Sequence, residues 1–258
     1  MNNVSISKRV RGRFRRSFAK KVAITVIVLI PLFFAFLYVV FMIGETDGGM
    51  ISVRVDDTNL VGKSISLSEE SSFENAKSSI KGDGILRLAD TSYKFVKERD
   101  FFDVEGSNNG SDYICYSFYI LNSGEETLDY EYIISFPVVT NNLNSAVRVM
   151  LLTSNDENVE TSRKVFAKAK EGTTTVPEKI AYEDIGYGIE EEQDAIVFLS
   201  DTLITKEVRT SLEPNQADRY TLVLWLEGTD PECVDDVIDG TLKLEMIFNI
   251  ISIEEGLG

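Results

Sequence analysis

Hydrophobic and polar residues alternate one by one along much of the chain after residue 49. Because successive side chains of a β-strand point to opposite faces, this pattern predicts strands with one buried face and one wetter face. The clearest apolar rows are Ile51–Val55, Ile65–Leu67, Ile114–Ile120, Tyr130–Phe136, Tyr220–Leu226 and Leu242–Ile250. Further strands are predicted near 84–89, 93–96, 146–152, 163–168 and 196–199.

Turn-forming residues separate these rows at Asn122-Ser123-Gly124, Pro214-Asn215 and Asp239-Gly240. One short helix is predicted over 69–81, and 170–195 reads as a long acidic loop. About nine to eleven strands without a long amphipathic helix are typical of two packed sheets. The sequence therefore predicts an all-β domain over 50–258, an antiparallel β-sandwich or jelly roll.

The segment before this domain has a different pattern, because Val22 to Ile43 carries no charged residue. At a rise of 1.5 Å per residue this helix would span about 33 Å, enough to cross the hydrocarbon core of a bilayer. Pro31 inside the run is tolerated in lipid. We predict one transmembrane helix over 22–43, followed by a short linker over 44–49.

Residues 1–21 contain basic residues and no Asp or Glu. Positive charge before a span places that side in the cytoplasm, so the β domain is expected outside the cell. The alternative is a cleaved signal peptide, but the apolar run is long and its exit, 41–45, lacks a small-residue cleavage site. The eight basic residues that form this topology signal are Lys8, Arg9, Arg11, Arg13, Arg15, Arg16, Lys20 and Lys21.

The charge of the chain is divided sharply by the predicted helix. Removing those eight residues from the 26 Lys and Arg leaves 18 against 42 Asp and Glu, a net charge of −24 for the remainder. Such a surface repels nucleic acid and attracts divalent cations or basic partners, although solubility alone also explains it. The expected partners are the membrane lipid bilayer and a protein or another component of the cell envelope, with no nucleic acid.

The two cysteines, Cys115 and Cys233, both fall in the predicted exported domain. An even pair in an oxidising compartment predicts a disulfide, and two unpaired thiols are the alternative. The bridge would require the loop that carries Cys233 to fold back over the strand that carries Cys115.

Catalytic motifs are missing from the sequence. There is no histidine, which excludes Ser-His-Asp and Cys-His nucleophile systems, and there is no P-loop, G-x-G-x-x-G or C-x-x-C. The chain is therefore predicted not to be an enzyme and to need no cofactor, with calcium as the one candidate ion.

An acidic loop follows the predicted strand 220–226. Its carboxylates could supply oxygen ligands for calcium, although their spacing does not match an EF-hand, and a solvated polar loop is the alternative. The candidate ligands are Glu227, Asp230, Asp235, Asp236 and Asp239. The single tryptophan, Trp225, is predicted to pack between the two sheets.

Three features together resemble the TasA/camelysin class of exported proteins in Gram-positive bacteria. They are the basic leader with its hydrophobic segment, the strand–turn–strand over 116–130, and the late strand that Leu212 and Pro214 introduce before Tyr220. The resemblance implies a jelly-roll domain that assembles into extracellular fibres by strand donation. A retained helix departs from that pattern, because fibre subunits of the class are released by signal cleavage.

These observations favour a membrane-anchored, extracytoplasmic β-sandwich that acts as a binding or structural module in envelope, matrix or adhesion contacts. An accessory subunit of an envelope complex or sensor is the alternative, and an exported hydrolase is a third hypothesis.

Overall fold

The structure is a computed structural model, and it describes residues 49–56, 62–85, 87–102, 104–155, 159–182 and 193–251, together with Ile30. The chain divides into two units, Met1–Gly48 and Gly49–Gly258. The described part of the second unit is mostly β-strand. This confirms the predicted β-rich class for the domain.

Thirteen strands and one short α-helix, α1 (Tyr93–Lys97), form the described part of the domain, with 3₁₀ turns at Leu143–Ser145 and Asp235–Val237. The strands are β1 (Gly49–Asp56), β2 (Ile65–Ser68), β3 (Ser79–Asp83), β4 (Asp90–Thr91), β5 (Gly106–Ser107), β6 (Ile114–Asn122), β7 (Leu128–Val139), β8 (Val147–Ser154), β9 (Glu160–Ala167), β10 (Ile196–Val197), β11 (Leu203–Leu212), β12 (Ala217–Glu227) and β13 (Leu242–Ile251).

Within the described residues these strands form two sheets. The five-stranded sheet has the order β11-β7-β13-β1-β3. The eight-stranded sheet has the order β10-β9-β8-β12-β6-β2, with β4 paired to β12 and β5 paired to β6. Both sheets are mixed, because β1–β13, β9–β10 and β4–β12 are parallel pairs. The predicted wholly antiparallel arrangement is wrong for these pairs, since alternation identifies a strand but not the direction of its partner.

The apolar rows of both sheets face each other and form the main core. Phe118 of β6 and Phe248 of β13 meet edge to face at 6.1 Å, which joins the two sheets directly. This arrangement is consistent with a β-sandwich. A second apolar cluster covers the other face of the eight-stranded sheet and includes Cys115, Val223 and Trp225. Trp225 is thus fully buried, but the prediction that it packs between the sheets is wrong.

Six predicted strands are confirmed as β1, β2, β6, β7, β12 and β13, and the strands predicted near 146–152, 163–168 and 196–199 are confirmed as β8, β9 and β10. The strand predicted near 84–89 is wrong, because the described residues of that segment form no strand. Two other predictions are wrong: 93–96 lies in helix α1, and 69–81 contains turns followed by the start of β3 instead of a helix. Strands β3, β4, β5 and β11 were not predicted.

The strand registers define two ends of the domain. At one, here called the Gly49 end, β1 begins beside the start of β13, and Leu242 pairs with Val139 at the end of β7. The β7–β8, β10–β11 and β12–β13 loops lie there, joined by bonds such as Asn144 Nδ2 to the Asp201 carbonyl at 2.7 Å. The opposite end carries the β6–β7, β8–β9 and β11–β12 turns.

Candidate functional site

A cleft of about 380 Å³ opens between edge strand β11 of one sheet and strands β8 and β9 of the other. Its size lies within the range of about 300–1,000 Å³ that is usual for small-molecule sites. The cleft is lined by Asn155 in the β8–β9 turn and by Asp218 at the start of β12. Both positions belong to the end of the domain opposite Gly49.

The floor of the cleft is built around the carboxylate of Asp218, which is 7% exposed. Its Oδ2 atom accepts hydrogen bonds from the Tyr130 hydroxyl and from Arg209 Nε, both at 3.0 Å. The Tyr130 and Tyr220 hydroxyls lie 2.7 Å apart. Burial raises the pKa of both tyrosines, so both phenols stay protonated at neutral pH. Hydrogen bonds from Tyr130 and Arg209, the second of them part of an ion pair, therefore fix the position of Asp218.

The second polar centre of the cleft is Glu207 on β11. Its Oε2 atom accepts hydrogen bonds from the Tyr132 hydroxyl and from Lys164 Nζ, each at 2.6 Å. Burial alone would raise the pKa of Glu207, but the bonds from Lys164 and Tyr132, with the Lys164 charge, hold it below its usual value. Because Lys164 lies on β9, this ion pair connects the two sheets across the cleft.

Hydroxyl and amide groups line the side of the cleft formed by β8 and β9. The Thr153 and Thr161 side-chain oxygens are 2.9 Å apart, and Ser154, Ser162 and Asn155 line the same side. The charges that line the cleft are balanced, because two cations face two anions: Lys164, Arg209, Glu207 and Asp218. The cleft is therefore rich in hydrogen-bonding groups and carries no net charge.

The predicted calcium loop has a different role, because its first two acidic residues are occupied by internal bonds. Glu227 is fully buried and accepts from Trp225 Nε1 at 2.9 Å and from the backbone N–H of Tyr93 at 2.8 Å. Asp230 accepts from Arg148 at 2.6 Å, and both side chains are 0% exposed. These carboxylates hold the loop and helix α1 against the sheet.

The other three candidate ligands lie further along this loop. Asp235 and Asp236 are in the 3₁₀ turn Asp235–Val237, and Asp239 adopts a positive φ of 60°. In the described part of the chain, no group of three or more acidic or cysteine side chains is placed to hold a metal ion. The five candidate calcium ligands are therefore not assembled into a site.

The predicted disulfide is wrong, because Cys115 and Cys233 are both free thiols. Cys115 lies on β6, whereas the loop that carries Cys233 is drawn towards β8 by the bond between Asp230 and Arg148. Burial raises the pKa of Cys115 to about 12, and burial with nearby carboxylates also raises that of Cys233. Both thiols thus stay protonated and react slowly.

The predicted anchor from Val22 to Ile43, with Pro31, falls outside the described residues apart from Ile30, as do all eight basic residues of the topology signal. Among the helices that the structure describes, none is long and apolar enough to span a bilayer. The anchor and its orientation stay predictions.

Sequence reasoning missed the cleft for two reasons. Tyr130, Tyr132 and Tyr220 sit on predicted strands, but their apolar rows indicated core and gave no sign of their hydroxyl partners. Glu207 and Arg209 lie on β11, where charged side chains occupy both faces and no apolar row identifies a strand.

No protein-family model matches the chain, and a search of curated proteins finds no match. The resemblance to the TasA/camelysin class therefore stays a prediction.

Proposed function

We propose that this chain is a membrane-anchored, extracytoplasmic β-sandwich that binds a component of the cell envelope or matrix through the cleft beside β11. The observation that carries this proposal is the position of the cleft, which runs from the middle of β7, β8 and β11 to the end of the domain opposite Gly49. Strand β12 alone has 11 residues, about 36 Å at 3.3 Å per residue. A domain tethered through its N-terminal segment would present the cleft away from the bilayer, where a partner can reach it.

The proposal includes a jelly-roll arrangement for the sandwich. It is supported by connections that repeatedly cross between the sheets: β6 to β7, β7 to β8, β11 to β12 and β12 to β13 each change sheet. Such crossings are typical of jelly rolls and Greek keys and not of simple meanders.

Binding can be tested with the full chain, purified in detergent and sedimented with isolated cell-envelope material. We expect the chain to co-sediment, and Ser162→Phe, which fills the cleft from a half-buried position on β9, to lose most of that binding. Thr210→Phe is the matched control, because it adds the same ring at an exposed position of β11 that does not line the cleft. Equal sedimentation of both variants would contradict a role for the cleft.

A further inference from the structure

We propose that the cleft beside β11 binds a neutral carbohydrate chain. This inference deepens the proposed function, on which it rests, by assigning a ligand chemistry to the same site. It stands on three observations about the lining: balanced charge, mixed hydrogen-bonding groups held in fixed positions, and apolar surface between them.

The charge balance argues for a neutral ligand. Lys164 is paired with Glu207, and Arg209 with Asp218, at 2.6 and 3.0 Å. A charged ligand would have to break one of these pairs or bring its own charge into the cleft without a counter-charge, and either step carries a desolvation cost. A neutral polar ligand can hydrogen-bond to the outer atoms of both pairs and leave the pairs intact.

The hydrogen-bonding groups suit a ligand whose own groups both donate and accept. Asp218 accepts the bonds from Tyr130 and Arg209 with a single oxygen, Oδ2, and neither of these bonds uses its other oxygen, Oδ1. Arg209 uses Nε for Asp218 and one terminal nitrogen for the Thr210 carbonyl, which leaves its other terminal nitrogen as a donor. Asn155 uses Oδ1 for the N–H of Val159, which leaves its Nδ2 donor. The hydroxyls of β8 and β9 can both donate and accept. Neighbouring hydroxyls on a sugar ring match such a lining, since each can donate one bond and accept others.

The position of these groups is fixed before a ligand arrives. Tyr130 holds Asp218, and Tyr132 holds Glu207, through buried or half-buried hydroxyls. Pre-organisation reduces the entropy lost on binding, which matters for a ligand that must replace its bonds to water.

Apolar surface lies among the polar groups. Val208 lines the cleft and is 55% exposed, whereas Leu151, Tyr132 and Tyr220 line it as buried residues of the main core. The C–H face of a sugar ring can pack on such surface while its hydroxyls reach the polar atoms. A peptide strand laid along the edge of β11 would use the backbone of that strand and would not need this lining.

The test is calorimetric titration of the full chain in detergent with neutral tetrasaccharides built from glucose, N-acetylglucosamine, mannose or galactose. An anionic oligogalacturonate and a cationic chitosan tetramer serve as charged probes. We expect at least one neutral tetrasaccharide to bind, both charged probes to fail, and the affinity to stay constant from about 0.05 to 0.5 M salt, because no net charge is neutralised. Ser162→Phe should weaken that binding more than about tenfold, by at least about 1.4 kcal/mol, while Thr210→Phe should not change it.

Several results would overturn the proposal. The first is preferential binding of a charged probe, and the second is an affinity that falls as the salt concentration rises. The third is unchanged carbohydrate binding by a Ser162→Phe variant whose Trp225 emission spectrum matches the wild type and so shows that the variant is folded. If no neutral tetrasaccharide binds although the chain still sediments with envelope material, the carbohydrate assignment fails and the proposed function stands. If the chain neither binds a neutral tetrasaccharide nor sediments with envelope material, both the carbohydrate assignment and the proposed function fail.

Discussion

Arg148 shows how much of this domain depends on single buried polar residues. Its side chain donates to the Lys179 carbonyl at 2.8 Å and to Asp230 at 2.6 Å, and it faces Trp225 across the β8–β12 pair. One guanidinium therefore joins the segment around 179, the acidic loop and the second apolar cluster. A buried charge of this kind is tolerated only while its partner is present.

Removing Asp230 should destabilise the fold strongly. Asp230→Asn removes the carboxylate that pairs directly with the buried Arg148, so we expect a loss of about 3–5 kcal/mol in the free energy of unfolding. Urea unfolding followed by Trp225 fluorescence would measure it. The matched control is Glu160→Gln, which breaks the more exposed pair with Arg163 and should cost less than about 1 kcal/mol. Equal costs for the two variants would show that the buried pair has no special role.

Glu178 gives a pH-dependent prediction. It is 4% exposed, and burial together with the nearby Asp230 charge raises its pKa. A raised pKa in the fold means that its stability contribution is present below the usual carboxyl pKa and is lost as pH rises through the folded pKa. Glu178→Gln should therefore be more stable than the wild type at pH 7.

The same variant should match the wild type near pH 3, where Glu178 is protonated in both states because that pH lies below the ordinary glutamate pKa of about 4.3; thermal unfolding at both pH values gives the comparison. Glu125→Gln, at an exposed position in the β6–β7 turn, serves as control. A destabilised Glu178→Gln at pH 7 would show that the charged form is the one the fold favours.

At the scale of elements, alternation predicted the strands that have an apolar face and failed for those that do not. β12 and β13 carry long apolar rows and were found. β11 was missed because Lys206, Val208 and Thr210 alternate with Thr205, Glu207 and Arg209, so that neither set forms an apolar row. Its place is fixed by pairing with β7, and a partner in the sheet leaves no local signal in the sequence.

The element that carries Cys233 allows a direct test of the loop position. We expect native alkylation to label Cys233, which is half-buried, and to leave Cys115 unlabelled until the chain is denatured. The reaction of Cys233 in the folded chain should be slow, because burial and nearby carboxylates raise its thiol pKa. Mass spectrometry of the alkylated protein measures this, with Cys233→Ser as the control that should take up no label while folded. A linked Cys115–Cys233 peptide in unreduced protein would contradict the structure.

For the whole molecule, the sequence indicated the β class but could not indicate the cleft. The groups that meet there are far apart in the chain: Tyr130 bonds to Asp218 over 88 residues, and Lys164 to Glu207 over 43. These side chains come together only because the two sheets pack face to face, and the alternation of apolar and polar residues within a strand does not indicate how the sheets pack. The same arrangement separates the cleft from Gly49, and this separation gives the anchored-domain proposal a measurable consequence.

The anchored-domain proposal predicts that the Gly49 end lies nearer the bilayer than the opposite end, because only residues 44–48 separate Gly49 from the predicted span 22–43. A donor dye on Cys233, in a loop at the Gly49 end, should transfer energy efficiently to acceptor-labelled lipid around the reconstituted full chain. The same dye on Glu125→Cys, placed in a Cys233→Ser background, should transfer much less. Glu125 lies in the β6–β7 turn at the opposite end, roughly one strand length or about 36 Å further away. Equal transfer from both positions would mean that the domain lies on its side or is not tethered at Gly49, and the cleft would then have no preferred exposure away from the membrane.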